Sequence, residues 1–434
     1  MVQPCQSADL SAWATVRETP WQGTEARDAR AALEALDLFG AGPFPVLDQL
    51  RRYAPVHRDA ATGLWLVSRY ADVREILMDP HTYLPDNAQN AVCRLSVPAL
   101  RILAASGFAR PPALANNGGP THAGLRSLVA DFFTSMQVSA AVPVIESTAS
   151  RLLESVAEEV RLRAKSDLST AYARPLPCLV MMRLLGVTGV PLQTLLTWSE
   201  AALELFYGKP APKRQHLLAE HTAAFFRWLT KLTAAQDSEG LPAALQAHFL
   251  PRGAALSPAT AVAVCFFVFI AAQATTGQLI CTVLSSAAAD PQVWSKAGDE
   301  EGFAEAWVDE TLRREPPVTT WRRVARRDVL LSDVPVPTGA ELLLMLMGTG
   351  SDPAVFTEPQ RRCPRRPKAR LHLSFGAGPH RCPGAALART EATAALRMAS
   401  RELGEVQLLN HRPDEMTRLL SFRAPAHVPI GRPS

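Results

Sequence analysis

The stretch from Ser257 to Pro291 constrains this chain more than any other. Ser257-Pro258 sets a capping hydroxyl before a proline at the first helical position, and the pattern then runs unbroken to Asp290-Pro291, so a single long helix is predicted. At about 1.5 Å rise per residue it would cross most of a domain. Its apolar run, Ala261 to Ala272, stops at Gln273, short of the roughly 18 uninterrupted apolar residues of a membrane span. It reads as a buried helix around which others must pack.

The remaining pattern supplies those others. From Thr121 to about Leu250 it is mostly helical, punctuated at Pro175, Pro177, Pro191 and Gly208-Lys209-Pro210. Further helices are expected over Glu300–Arg314, before Pro316-Pro317, and over Gly384–Leu403. Leu64–Tyr70 is strand-like and leads into a helix carrying Val73, Ile76 and Leu77, and Val329–Leu331 and Leu342–Met347 read as strands. Between Thr82 and Pro120 periodicity is weak, as in a surface-running or pocket-covering segment. The fold class is mainly α with minor β, without internal repeats.

With 434 residues, 47% apolar and 20% charged, the chain can bury a large core. A net charge of +4 calls for no nucleic acid. The N-terminal residues show no signal peptide, so a cytoplasmic protein without a membrane segment is expected. Seven scattered cysteines, with no CxxC pair, argue against a disulfide framework. Each is therefore a small core residue unless its context says otherwise.

Cys382 has such a context. Phe375-Gly376-Ala377-Gly378-Pro379-His380-Arg381-Cys382-Pro383-Gly384 is a glycine-rich loop running into a helix N-terminus. Backbone N–H groups and the helix dipole there favour a thiolate, a soft axial ligand suited to haem iron. Gly376 and Gly378 permit positive φ and close approach to a flat macrocycle. A phosphate loop is disfavoured, because neither a Lys-[Ser/Thr] ending nor a preceding βαβ unit is present.

This loop resembles the FGxGxHxCxG haem-binding signature of the cytochromes P-450, with every fixed position met. The resemblance implies a single triangular domain over residues 1–434, with haem b (iron protoporphyrin IX) between a long distal helix and a proximal cysteine loop and helix. It implies that Cys382 is the metal ligand, that Phe375 packs near the sulfur beside Gly376 and Gly384, and that His380 contacts a propionate. Glu310-Thr311-Leu312-Arg313 resembles the family's ExxR, and Pro359-Gln360-Arg361 its PxR, which makes Arg361 the third member of a buried network with Glu310 and Arg313. His122 and Arg126, in a DPPxHxxxR-like segment, and Arg323 correspond to propionate-binding positions. Ala271-Ala272-Gln273-Ala274-Thr275-Thr276 lines up with AGx[D/E]TT, so Thr275 is placed at the oxygen site, while Ala272 replaces a glycine and Ala274 the acid that works with the threonine. Read without the family, Thr275 and Thr276 merely back-bond to carbonyls one turn earlier.

The implied activity is oxidation of a small organic molecule, with natural-product tailoring by analogy. Electrons would come from an acidic ferredoxin and its ferredoxin reductase, docking where Arg322, Arg326, Arg361, Arg362, Arg365, Arg366, Lys368 and Arg381 accumulate. Ala274 also motivates two other readings, an atypical oxidation other than hydroxylation and a non-catalytic haem sensor. A zinc site of Cys363, His372, His380 and Cys382 is a further rival, although it lacks close ligand pairs.

Overall fold

The computed structural model describes residue 37 and residues 44–250, 253–409 and 416–433. The chain divides into two compact units, Met1–Ala88 with Ala306–Cys382, and Gln89–Glu305 with Pro383–Ser434. As the pattern predicted, helices dominate and the sheets are small.

The first unit is built on a five-stranded sheet. Its strands run in the order Val56–Arg58, Trp65–Val67, Glu341–Leu344, Trp321–Ala325, Tyr83–Leu84. Trp65–Val67 pairs in parallel with Leu342–Leu344, and the other neighbours are antiparallel. Against this sheet packs the helix Tyr70–Met78, which buries Tyr70, Val73, Ile76 and Leu77, a spacing that keeps one face turned inward. The strand expected over Leu342–Met347 ends at Leu344, and Leu346–Thr349 is a short helix. The ladder ends with the bond from the Met345 N–H to Val67 O at 2.8 Å, after which the Met347 N–H turns to Thr319 O at 3.0 Å.

In the second unit the long helix spans Pro258–Ala288, 31 residues, with Ser257 Oγ accepting the Thr260 N–H at 3.2 Å. Its length and composition would suffice to cross a membrane, but 61% of its most apolar window is buried. Helices Pro175–Leu184, Leu192–Tyr207, Pro212–Ala234 and Ala385–Leu403 pack around it. It is the core of the unit, and burial on nearly every face explains why its sequence shows so little polar alternation. A three-stranded sheet of Lys165–Asp167, Pro429–Gly431 and Gln407–Leu408 closes one edge.

Two boundaries differ from the sequence reading. The helix expected from Glu300 begins at Phe303, because Pro291–Asp299 forms its own helix and Gly302 turns the chain at φ +75°. The aperiodic segment after Thr82 contains the helix Val97–Ala105, capped by Ser96 and carrying Pro98 in its first turn. It buries only Ala99 and Leu103, too few apolar positions to set a period.

Glu391, on Ala385–Leu403, is 1% exposed and its Oε2 has no hydrogen-bond partner. Burial pushes its pKa from 4.5 up to about 8, so the acid is neutral inside the fold. The unfolded chain ionises from its lower pKa, and folding stability therefore falls as pH rises between those two values. Urea midpoints at pH 5 and pH 8 should show Glu391→Gln to be flatter than wild type, by roughly 3 kcal/mol. Identical slopes for the two proteins would show that Glu391 is charged in the fold.

Candidate haem-thiolate site

The Cys382 loop is shaped by its own backbone. The Cys382 N–H donates to Phe375 O at 2.8 Å, Gly376 N–H to Leu373 O at 2.8 Å and Arg381 N–H to Gly378 O at 3.0 Å, which folds Phe375–Cys382 into a closed loop. Gly376 and Gly378 have φ of +70° and +66°. A Cβ on Gly378 would lie 2.5 Å from Leu77 O, so that glycine lets the loop seat on the end of helix Tyr70–Met78. Around Gly376 nothing comes closer than 3.9 Å to such a Cβ, which leaves its face accessible to a flat partner.

Cys382 is outside any disulfide and half-buried. The other cysteines outside disulfides differ. Burial pushes Cys178 and Cys265 up to about 12 and Cys281 to about 11, and it raises Cys93 as well. Cys178, Cys265 and Cys281 are neutral core thiols, poor metal ligands, and Cys93 is half-buried. Cys363 is disulfide-bonded, and no group of three or more His, Cys, Asp or Glu suited to a metal exists among the described residues, so the zinc reading loses its support.

Glu310 and Arg313 lie one helical turn apart and form a fork-to-fork pair, Nε to Oε2 at 2.8 Å and Nη2 to Oε1 at 2.7 Å, with both side chains at most 1% exposed. The third member expected from sequence was Arg361. The structure gives that place to Arg366, whose Nε donates to Glu310 Oε1 at 3.1 Å and Oε2 at 3.2 Å from a side chain 2% exposed. Arg361 points outward, 48% exposed, 3.7 Å from Glu358, and contributes only its carbonyl to Arg313 and Arg366. The Cys363 N–H completes the carboxylate's shell at 2.9 Å. Pro364-Arg365-Arg366 repeats the Pro-x-Arg spacing of Pro359-Gln360-Arg361, so the sequence held both candidates, and only burial separates them.

Arg323 is 1% exposed and its Nε has no partner, while Nη1 donates only to the carbonyl of Arg322 at 2.9 Å. Desolvation pulls its pKa down to about 10. A buried guanidinium without a carboxylate is costly unless an anion meets it. That requirement, with the thiol loop and the open face of Gly376, fits a propionate-bearing macrocycle held through sulfur.

The remaining residues belong to the second unit. His122 opens the helix His122–Ala130, with Arg126 one turn on, and desolvation followed by the Arg126 charge lowers the His122 pKa. Thr275 Oγ1 donates to Ala271 O at 2.5 Å, the local back-bond, and Ala272 and Ala274 flank it, half-buried. Gly384 immediately precedes the helix Ala385–Leu403 and supplies a carbonyl rather than a side-chain cap.

The cytochrome P-450 family model matches residues 302–400, which take in the Glu310 network and the cysteine loop. Cytochrome P-450 107B1 of Saccharopolyspora erythraea is 31% identical over 80% of this chain and 86% of its own length. The cytochrome P-450 monooxygenase PikC of Streptomyces venezuelae is 30% identical over 87% of this chain and 88% of its own. Among solved structures, cytochrome P-450 CREJ in complex with (4-ethylphenyl) dihydrogen phosphate superposes with a TM-score of 0.85 at 25% identity, covering 91% of this chain and 98% of that one. The chain belongs to the cytochrome P-450 family. It is accordingly an oxidoreductase of the monooxygenase class.

Proposed function

We propose that the chain is a single catalytic domain over residues 1–434 that binds haem b through Cys382 and oxidises a small organic molecule, as a protein of the cytoplasm. The observation that carries this reading is the combination of a loop-held cysteine outside any disulfide with a buried guanidinium, Arg323, that meets no carboxylate among the described residues. Cys382 would hold the iron, Arg323, His380, His122 and Arg126 would neutralise the two propionates, and Phe375 and Gly376 would line the sulfur side. Bound haem supplies an iron that activates dioxygen. The reduced protein should give a red-shifted band with carbon monoxide, and a band at the position typical of histidine-ligated haem would overturn the reading.

Natural-product tailoring is supported by the cyclomarin C epoxidase CymV of Salinispora arenicola, 28% identical over 81% of this chain and 86% of its own length. A second reading, atypical oxidation, rests on Ala274. A methyl group cannot hold or move a proton, so Thr275 Oγ1 must take its proton from water or from a donor on the substrate. Ala274→Asp should then raise product formed per electron donor consumed for substrate analogues that lack a donor, more than for the native substrate. Thr275→Ala should lower it for all, by about 10²-fold at most. Equal yields in all three proteins would remove proton delivery from this helix.

The electron donor is proposed to be an acidic ferredoxin served by a ferredoxin reductase. Of the cations expected to receive it, Arg322 and Arg366 are buried at 5% and 6%, and Arg362 is paired with Glu315, so none of these three presents a solvated charge. Arg326, Arg361, Arg365, Lys368 and Arg381 remain exposed. Arg365→Glu with Lys368→Glu should raise the KM for ferredoxin about tenfold at low salt, and the gap should close as salt screens the surface. A KM indifferent to both charge reversal and ionic strength would exclude this face.

A further inference from the structure

Gln273, Ala274, Gly277, Gln278 and Cys281 share one face of the long helix, and that face lines a cavity of about 340 Å³. At about 100° per residue the face is centred roughly 120° away from Thr275, so the cavity does not open on the oxygen-site threonine. Leu196, Ser199 and Leu203 of helix Leu192–Tyr207 form the facing wall, and Leu419 and Pro425 of the C-terminal segment close it. The walls are mainly apolar. The carboxylates at the rim are already paired, Glu200 with Arg174 at 3.1 Å and Glu204 with Arg214 at 2.6 Å, so a cationic guest has little to gain there, and the mainly apolar walls disfavour burying a charge of either sign.

Two acceptors inside are unmet. Gln273 is 2% exposed; its Nε2 donates to Ser199 Oγ, while its Oε1 is buried without a partner. The Gln278 Oε1, five residues further on and about 140° round the helix, at the other edge of the lining, is likewise buried and unpartnered. A partly open, mostly apolar cavity with a few polar atoms in its lining is a usual form of a small-molecule site, and unmet buried acceptors select for a guest that brings a donor.

We propose that this cavity is a second ligand site, distinct from the Thr275 face, for a neutral apolar molecule carrying one N–H or O–H donor, which is received by the side-chain oxygen of Gln278. The guest would lie against Ala274, the residue before Thr275. The proposal does not depend on haem binding.

Calorimetry on the holoenzyme tests it with indole, an apolar bicycle with one N–H, and 1-methylindole, which lacks the donor. Indole should bind with a stoichiometry of one, and 1-methylindole about tenfold more weakly, the effect of one buried acceptor left unmet. Gln278→Leu should make the two probes equal. Leu196→Trp, at the half-exposed mouth, should remove binding of both while the carbon monoxide band persists, which separates a failure of this site from a failure of the haem reading. No saturable heat from either probe, equal affinity of both for the wild type, or indole binding unchanged in Gln278→Leu and Leu196→Trp would each overturn it; the first two outcomes would assign the cavity to water and the third would place indole elsewhere.

Discussion

Cys382→Ser should abolish the red-shifted carbon monoxide band completely, because among the described cysteines Cys382 alone stands at the end of the glycine-rich loop closed on Phe375 O, and the other half-buried one, Cys93, has its pKa raised by burial. A serine keeps the backbone bonds of the loop, including the 2.8 Å contact from residue 382 to Phe375 O. It therefore changes the ligand atom and little else. A hydroxyl is a hard, weakly acidic donor that does not replace a soft thiolate on iron. Substitution at Cys178, Cys265 or Cys281 should leave the band intact, since burial holds those thiols protonated. The spectrum of the reduced, carbon-monoxide-treated variant is the measurement. A red-shifted band surviving in Cys382→Ser would mean that sulfur comes from elsewhere, and the loop geometry would need another explanation.

The contrast between the cysteine loop and the Glu310 network shows what the sequence made legible. Local features were readable, because they depend on neighbours along the chain. Ser257-Pro258 starts a helix wherever it stands before a suitable run, and the glycine spacing of Phe375–Gly384 specifies a turn that only positive φ can make. The long helix accordingly begins at Pro258 as predicted. Boundaries set by tertiary contact were harder. The strand Glu341–Leu344 ends where the Met347 N–H leaves the ladder for Thr319 O, a fact no local period contains. The same holds for the choice between Arg361 and Arg366. Both follow a proline by two residues, and the winner is decided by which side chain the folded loop turns toward Glu310. Arg323 gave the weakest signal, since an arginine in a strand is ordinarily solvated, and only its burial without an anion marks it as a binding residue. The cavity beside Ala274 could not be read at all, because its walls come from four separate segments.

The choice between Arg361 and Arg366 yields the sharpest stability test. Removing Arg366 leaves the Glu310 carboxylate, whose side chain is 1% exposed, with Arg313 as its one remaining cationic partner. It also frees the carbonyls of Glu358 and Arg361, which Arg366 Nη2 now bonds at 3.3 and 2.6 Å. Burial and the neighbouring Arg313 charge both pull the Arg366 pKa down while Glu310 pulls it up, so the cation is held in place by the carboxylate rather than by solvent. Breaking a buried ion pair from one side typically costs about 3–5 kcal/mol. Arg366→Ala should therefore destabilise the holoenzyme by roughly that amount and loosen the segment Thr357–Arg366, which the guanidinium ties together. Arg361→Ala removes only an exposed pair at 3.7 Å and should cost about 0–1 kcal/mol. Arg366→Lys keeps the charge but loses the fork, and should fall between the two. Urea midpoints for the three variants make the comparison, and Arg366→Ala combined with Glu310→Gln should cost less than the sum of the single changes, because the two residues share one interaction. If Arg361→Ala proved as damaging as Arg366→Ala, or if the double variant were strictly additive, the third arginine of the network would have to be reassigned.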